Sequence, residues 1–229
     1  MHTERLVHLE FEHAADYTST PEELRDFLVN RSIYGGYTNF SPGTLYGQTV
    51  SICNMGCYVG KKGEPSLDRF LKQVLRTRRG NVAQQLLDFV TQQLRYDHSE
   101  ADSGLQFCKR PNEVLMGRGG TCAGLAVCYA SLLEQAGLDY CLIYIGKTPA
   151  TISHIAVGVA WPDKVVNGLE FTWRGVRYAL AETTSNGFRI GIDRVGSGSN
   201  PLTPDQCQFV QKPGEQAYRL TTDEPAPWR

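Results

Sequence analysis

The sequence predicts an α+β fold in which one buried helix packs against an antiparallel β-sheet. Residues 121–137 carry apolar side chains at helical spacing, as expected of a helix inside a core. Two extended runs follow at 140–145 and 154–160, and the first is almost continuously apolar, as in a buried strand. Two shorter runs at 170–173 and 176–182 are joined by Arg174-Gly175, a pair typical of a hairpin turn.

Composition indicates a globular protein and excludes several classes of partner. The chain has 229 residues, of which 41% are hydrophobic and 21% charged, which suits one domain with additional segments. Its net charge of -1 gives no electrostatic reason to bind nucleic acid or an anionic membrane surface. No apolar run reaches the roughly 20 residues of a membrane-spanning helix, and no signal peptide is visible. We therefore expect no nucleic acid partner, no membrane span and a cytoplasmic location.

Cysteine usage gives no indication of a disulfide framework or a metal site. The chain has seven cysteines, an odd and small number that favours a reducing compartment. Cys53 and Cys57 have no second pair at zinc spacing, and His8 and His13 lack a clear ligand pattern. No phosphate-binding loop or dinucleotide fingerprint is present. The sequence therefore predicts neither a metal nor a cofactor.

Three regions are predicted along the chain. Residues 1–79 form an N-terminal extension that packs on the core, and residues 80–192 form the core that carries the chemistry. Residues 193–229 are rich in Gly, Ser and Pro and are predicted to be a C-terminal loop and tail.

Three amphipathic helices are predicted ahead of the buried one. The first covers 21–30, with Thr20 as its cap and Pro21 at its first position. The other two cover 66–78 and 82–94, and each has its apolar residues on one face. The core candidates on these two helices are Leu67, Phe70, Leu71, Val74, Leu75, Leu86, Leu87, Phe89, Val90 and Leu94.

Cys122 is the candidate nucleophile. Gly119 and Gly120 allow a sharp turn and close approach of a substrate, and Thr121 suits the cap of the helix that follows. In the first turn, unpaired N–H groups and the helix dipole favour a thiolate and can stabilise an oxyanion. A cysteine on the apolar stripe of a helix is also compatible with simple core packing.

His154 is the candidate base. It opens an alternating strand in which His154, Ala156, Gly158 and Ala160 share one face. Because these residues are small, we expect the helix to pack on that face and the histidine to lie near the helix N-terminus. A structural histidine is the alternative interpretation, and His98 is a second, weaker candidate for the base.

Glu182 is the candidate that orients the base. If strand 176–182 pairs antiparallel with strand 154–160, residue 182 falls close to residue 154. A carboxylate there holds an imidazole in one tautomer and stabilises its charged form. Strand 170–173 would spoil this geometry if it lay between the other two.

These three residues together form a coherent arrangement of nucleophile, base and orienting group. An oxyanion-stabilising side chain is expected upstream of the nucleophile, and Gln106 and Asn112 are the candidates.

Residues 80–192 also resemble the transglutaminase-like superfamily, whose fold is related to that of papain-like cysteine peptidases. The resemblance is carried by RPNEVLMGRGGTCAGLAVCYASLLEQAGLDYCLIYIG, SHIAVGV and RYALAETTSNGFRIG. The family pattern is a Gly-x-Cys that opens a helix, a histidine strand, and an acidic residue shortly before a threonine. Cys122, His154, and Glu182 with Thr184 match these positions, and a bacterial and archaeal branch is the most similar.

The resemblance implies thiol-dependent acyl transfer on a protein or peptide amide, by hydrolysis or by transfer to an amine. Two departures accompany it: acidic residues usually flank the cysteine in that branch, and most of the superfamily has aspartate where Glu182 stands. The missing acidic residues favour the alternative of an inactive, protein-binding module, whereas the presence of Cys122, His154 and Glu182 together disfavours it. The oligomeric state is not predicted.

Overall fold

The computed structural model describes residues 40–45, 48–53, 55–76, 80–99, 109–148, 151–193, 207–215 and 217–220. The predicted helix over 21–30, the oxyanion candidate Gln106, and His8 and His13 lie outside the described residues. Among the helices that are described, none is long and apolar enough to cross a membrane.

The elements alternate between helices and strands in the first half of the chain and are mostly strands in the second. In chain order they are β1 (Phe40–Leu45), β2 (Gln48–Cys53), a 3-10 turn (Met55–Tyr58), α1 (Pro65–Arg76), α2 (Val82–Gln93), β3 (Arg95–Tyr96), α3 (Pro111–Gly117), β4 (Gly119–Gly120), α4 (Cys122–Ala136), β5 (Tyr140–Thr148), β6 (Thr151–Ala160), β7 (Glu170–Trp173), β8 (Val176–Ala181), β9 (Cys207–Gln211) and β10 (Tyr218–Arg219).

Helix α4 is the centre of the core. Every residue of α4 from Ala123 to Leu133 is buried, and α1, α2 and α3 pack around it opposite the sheet. The helix ends where Gly137 takes a left-handed conformation with φ of 69°, which glycine adopts at low cost. The core residues predicted on α1 and α2 are buried, apart from the partly buried Leu75.

The sheet on the other side of α4 has six antiparallel strands in the order β10-β9-β5-β6-β8-β7. Strand β8 pairs directly with β6, and β7 lies outside it at the edge of the sheet. The turn between β7 and β8 has positive φ at Arg174 (51°) and Gly175 (76°), as a two-residue hairpin turn requires. The predicted α+β class, with a helix on an antiparallel sheet, is confirmed.

The face of β6 that packs on α4 is not the one the sequence predicted. Ile155, Val157 and Val159 face the helical core, whereas Ala156 belongs to a second apolar cluster on the opposite face. Small residues such as Gly158 are needed on the opposite face of β6 for a different reason. A Cβ at Gly158 would lie 2.9 Å from the Cys141 sulfur and 3.0 Å from the Phe171 ring, because the sheet curls tightly on that side.

The curl brings the two edges of the sheet together. The Arg174 guanidinium lies 4.5 Å from the ring centres of both Trp173 on β7 and Tyr218 on β10. It also forms an ion pair of 2.6 Å with Glu215, in the turn before β10. The second apolar cluster is therefore the inside of a nearly closed, curled sheet.

Two parts of the fold differ from the sequence prediction. Strands β9 and β10 lie where a loop and tail were predicted over 193–229; β9 buries Phe209 on one face and Val210 on the other, so it shows no apolar–polar alternation. Helix α3 was not predicted, because its seven residues are too few for a visible apolar stripe.

Candidate active site

The backbone before Cys122 is held against a second segment of chain. Strands β3 and β4 pair in parallel, and Arg95 N–H donates to the Arg118 carbonyl at 2.8 Å. Asp97 N–H donates to the Gly120 carbonyl at 3.0 Å. A Cβ at Gly119 would collide with the Arg95 carbonyl oxygen, so this close approach requires glycine.

Cys122 is the first residue of α4 and is half-buried, with its thiol not in a disulfide. Thr121 is the cap residue, with φ of -71° and ψ of 177°, and its carbonyl accepts from Leu125 N–H at 2.9 Å. Its side chain makes no capping bond to the described part of the helix. The N–H groups of the first turn are therefore available beside the thiol.

His154 links the thiol to a buried carboxylate. Its Nε2 lies 2.6 Å from Glu182 Oε2, and its ring is close enough to the Cys122 thiol for that group to raise the pKa of His154. Because Nε2 faces Glu182, Nδ1 is the ring nitrogen available to the sulfur. The His154 side chain is 23% exposed, so the ring can be reached from solvent.

Glu182 follows directly on β8 and is 2% exposed. Val157 pairs with Ala181, so Glu182 lies diagonally across the β6–β8 pair from His154. Its second oxygen, Oε1, accepts from Thr184 N–H at 2.8 Å and from Thr184 Oγ1 at 2.6 Å. Both carboxylate oxygens therefore have partners, as a buried charge needs.

The pairing of β5 with β6 is irregular beside His154. Ile145 pairs with His154 but Gly146 pairs with Ile152, which leaves Ser153 as an extra residue on β6. Such bulges increase local twist and change the direction of side chains, often next to active sites. This irregularity offers a reason why His154 reaches Cys122 although its neighbours Ala156 and Gly158 lie on the inner face of the curl.

Electrostatics favour the charged forms of His154 and Glu182. Burial by itself lowers the pKa of His154, but the hydrogen bonds and negative charges of Cys122 and Glu182 outweigh it and raise that pKa to about 10. Burial by itself raises the pKa of Glu182, but the His154 contact and the Thr184 hydrogen bonds hold that pKa below its usual value. The arrangement stabilises the imidazolium form of His154 beside the Glu182 carboxylate.

The structure brings Cys122, His154 and Glu182 together, but Asn112 has other partners. Asn112 Nδ2 donates to Glu64 Oε1 at 3.0 Å and to Ser66 Oγ at 3.4 Å, and so connects α3 to the start of α1. The other oxyanion candidate, Gln106, lies outside the described residues.

Sequence reasoning did not assign a role to Thr184. A threonine two residues after a carboxylate is a known local hydrogen-bonding pattern, and this signal was present in the Glu-Thr-Thr segment. His98 is exposed and its ring lies 4.9 Å from that of Tyr96. It lines a groove of about 420 Å³, formed by residues 95–99 and 117–119.

A comparison with protein families gives a match to part of the chain. Residues 67–166 match the family described as a transglutaminase-like domain. This part of the chain is therefore similar to a transglutaminase-like domain. The match begins on α1, includes Cys122 and His154, and ends before Glu182. Helix α1, which was assigned to the N-terminal extension, therefore falls within the matched region.

The other comparisons add little to the transglutaminase-like assignment. The crystal structure of a candidate cysteine protease from Cytophaga hutchinsonii has 12% sequence identity and a TM-score of 0.37, and the match covers 56% of this chain. This chain spans only 40% of the length of that protein. No curated protein has significant sequence similarity to the chain.

Proposed function

We propose that the transglutaminase-like domain catalyses thiol-dependent acyl transfer on a protein or peptide amide. Cys122 is the nucleophile, His154 the general base and acid, and Glu182 the group that orients His154. One observation supports this proposal above the others: a single imidazole bonds a carboxylate that is 2% exposed and interacts electrostatically with the thiol at a helix N-terminus.

The reaction begins from an ion pair in which the proton of Cys122 resides on Nδ1 of the His154 imidazolium. The sulfur then forms a bond to the substrate carbonyl carbon, and the carbonyl electron pair moves to oxygen. First-turn N–H groups of α4 stabilise this oxyanion. As it collapses, the carbon–nitrogen bond breaks, and His154 gives its proton to the departing amine. The product is a thioester on Cys122.

Water completes the proposed reaction. His154 takes a proton from water, the hydroxyl oxygen bonds to the thioester carbonyl, and the Cys122 sulfur leaves. An amine in place of water would give a cross-linked product. We propose hydrolysis as the main outcome, because a compact core of this kind needs no additional amine-binding domain.

Glu182 supports both halves of this cycle. Its Oε2 accepts from Nε2–H of His154 at 2.6 Å, which keeps Nδ1 unprotonated when the imidazole is neutral. Two bonds from Thr184 fix the other carboxylate oxygen, so the carboxylate cannot rotate away from the ring.

An inactive binding module is the second candidate function, and the surroundings of Gly124 favour it. Relatives in the similar branch carry acidic residues beside the cysteine, but a Cβ at Gly124 would lie 3.3 Å from Val114 Cγ2 and 3.6 Å from Lys109 Cβ. An acidic side chain at this position would require Val114 to shift by a few tenths of an ångström, and the site of this chain lacks a charge found in those relatives.

A chromogenic ester separates the two candidates. Incubation with p-nitrophenyl acetate should give a burst of nitrophenolate and an acetyl adduct that mass spectrometry maps to Cys122. His154→Ala should lose the burst. Added hydroxylamine or a primary amine then reports whether water or an amine receives the acyl group. Absence of any Cys122 adduct in the wild type would favour the binding module.

A further inference from the structure

The backbone carbonyl groups just before Cys122 accept hydrogen bonds from residues other than His154 and Glu182. Lys109 Nζ lies 3.0 Å from Asp97 Oδ2 and 3.5 Å from the Gly119 carbonyl oxygen. Asp97 in turn donates its backbone N–H to the Gly120 carbonyl at 3.0 Å. The side chains of Lys109 and Asp97 are 24% and 31% exposed, so the pair is only partly screened by solvent.

These contacts fix successive peptide planes. A peptide group is planar, so fixing its carbonyl also fixes the N–H on the other side of the same bond. Lys109 holds the Gly119–Gly120 plane, Asp97 holds the Gly120–Thr121 plane, and Leu125 N–H holds the Thr121–Cys122 plane at 2.9 Å. The bond from Leu125 N–H belongs to helix α4 itself, whereas the bonds from Lys109 and Asp97 come from residues outside that helix.

Lys109 also packs on the first turn of α4. A Cβ at Gly124 would lie 3.6 Å from Lys109 Cβ and 3.9 Å from Lys109 N, so the Lys109 backbone passes directly beside the turn. Lys109 therefore contacts the chain on both sides of Cys122.

We propose that Lys109 and Asp97 are positioning residues that hold residues 119–124 so that the first-turn N–H groups meet the oxyanion of the substrate. This inference rests on the proposed acyl-transfer function. The site then has two separable properties. His154 and Glu182 determine the reactivity of the thiol, and the Lys109–Asp97 pair supports oxyanion stabilisation.

Two reagents measure these properties independently. Iodoacetamide alkylates the Cys122 sulfur by displacing iodide, and no oxyanion forms. With p-nitrophenyl acetate, the sulfur bonds to the carbonyl carbon, an oxyanion forms, and nitrophenolate leaves. The ratio of the two rate constants therefore reports oxyanion stabilisation separately from thiol reactivity.

Lys109→Met is the test variant, and Lys212→Met is its matched control. Lys212 forms a comparable ion pair with Asp139, at 2.6 Å and with side chains 31% and 41% exposed, at the opposite end of the sheet. We expect Lys109→Met to lower Cys122 acylation by roughly 10- to 100-fold and to change alkylation less than about threefold. The control should change neither rate.

Asp97→Asn provides a second variant that keeps the backbone bond to Gly120. It should lower acylation by roughly threefold to tenfold, again without an equal change in alkylation. Equal rates in wild type, Lys109→Met and Asp97→Asn, or a parallel fall of both rates in the two variants, would overturn the positioning role alone. If wild-type Cys122 is not acylated at all, the proposed function fails and this inference fails with it.

Discussion

The two ends of the central sheet both carry a carboxylate with several partners, but only one of them is buried. At the end near Tyr140, Asp139 accepts from Tyr178 Oη at 3.3 Å and from Lys212 Nζ at 2.6 Å, with its side chain 41% exposed. At the other end, Glu182 accepts from His154 and Thr184 and is 2% exposed. Water shares the solvation of the first carboxylate but not of the second.

The difference supports the proposal that the end at Glu182 carries the chemistry. A solvent-exposed ion pair contributes at most about 1 kcal/mol and can be lost at little cost. Burying a carboxylate costs several kcal/mol unless its partners compensate, and an apolar replacement is often no less stable. Retaining a buried Glu182 against a histidine is therefore better explained by function than by stability.

Replacing Cys122, the proposed nucleophile, should have the largest effect on acylation. We expect Cys122→Ser to lower acylation by p-nitrophenyl acetate by roughly 1000-fold or more, because a serine hydroxyl is far less ionised than a thiol. The free energy of unfolding should change little, since Cys122 is only half-buried. Cys57→Ser, at an exposed cysteine, is the control and should keep full activity.

Replacing one carboxylate at each end tests the comparison directly. Glu182→Gln should lower kcat by roughly 100-fold or more, because an amide neither stabilises the imidazolium nor fixes its tautomer. The alkaline limit of the pH–rate profile should also move down from about pH 10, since Glu182 helps raise the pKa of His154. Asp139→Asn should change neither kcat nor the alkaline limit of the pH–rate profile. Equal effects of the two substitutions on kcat would contradict the proposal that only the Glu182 end of the sheet takes part in the reaction.

We expect that the backbone just before Cys122 tolerates no side chain at Gly119. Gly119→Ala forces a Cβ against the Arg95 carbonyl and should cost about 1–3 kcal/mol in urea unfolding, with a loss of acylation. Gly117→Ala is the matched control, because nothing lies within 4 Å of a Cβ there. If Gly119→Ala is as stable as Gly117→Ala, the close pairing of β3 with β4 is wrong.

A separate effect should appear in the pH dependence of stability. The pKa of His154 is raised from 6.5 to about 10 in the folded protein, so its contribution to the free energy of unfolding is complete below pH 6.5. That contribution is lost as pH rises towards 10. Urea unfolding between pH 6 and 9 should therefore show a steeper fall for Cys122→Ser than for the double variant with His154→Gln, because no thiol then exchanges a proton with the imidazole. Parallel curves would mean that the imidazole does not gain charge stabilisation on folding.

The sequence predicted most of what surrounds the site, because periodicity reveals long elements. The helix at 121–137 and the strand at 154–160 were found within a few residues, and the direct pairing of β8 with β6 follows the arrangement that places Glu182 near His154. Catalytic roles for these residues remain predictions.

Other features depend on contacts between distant segments, which one-dimensional patterns do not show. The small residues around Gly158 were predicted to receive the helix, whereas they accommodate the inner side of the curl. Lys109 gave no signal, because its proposed role depends on its contacts with Asp97 and the Gly119 carbonyl, which lie elsewhere in the sequence. Helix α3 could have been recognised from Pro111 at its start and Glu113, which accepts from Arg110 N–H at 2.9 Å.

The most direct test of the account is the pH dependence of cysteine alkylation. Iodoacetamide labelling from pH 5 to 9 would be mapped by mass spectrometry in wild type and in His154→Ala, with the other cysteines as internal controls. If Cys122 and His154 form a thiolate–imidazolium pair, Cys122 reacts fastest at low pH and loses this advantage in the variant. A Cys122 that reacts like the other cysteines, or that stays protected in both proteins, would contradict a thiolate–imidazolium pair.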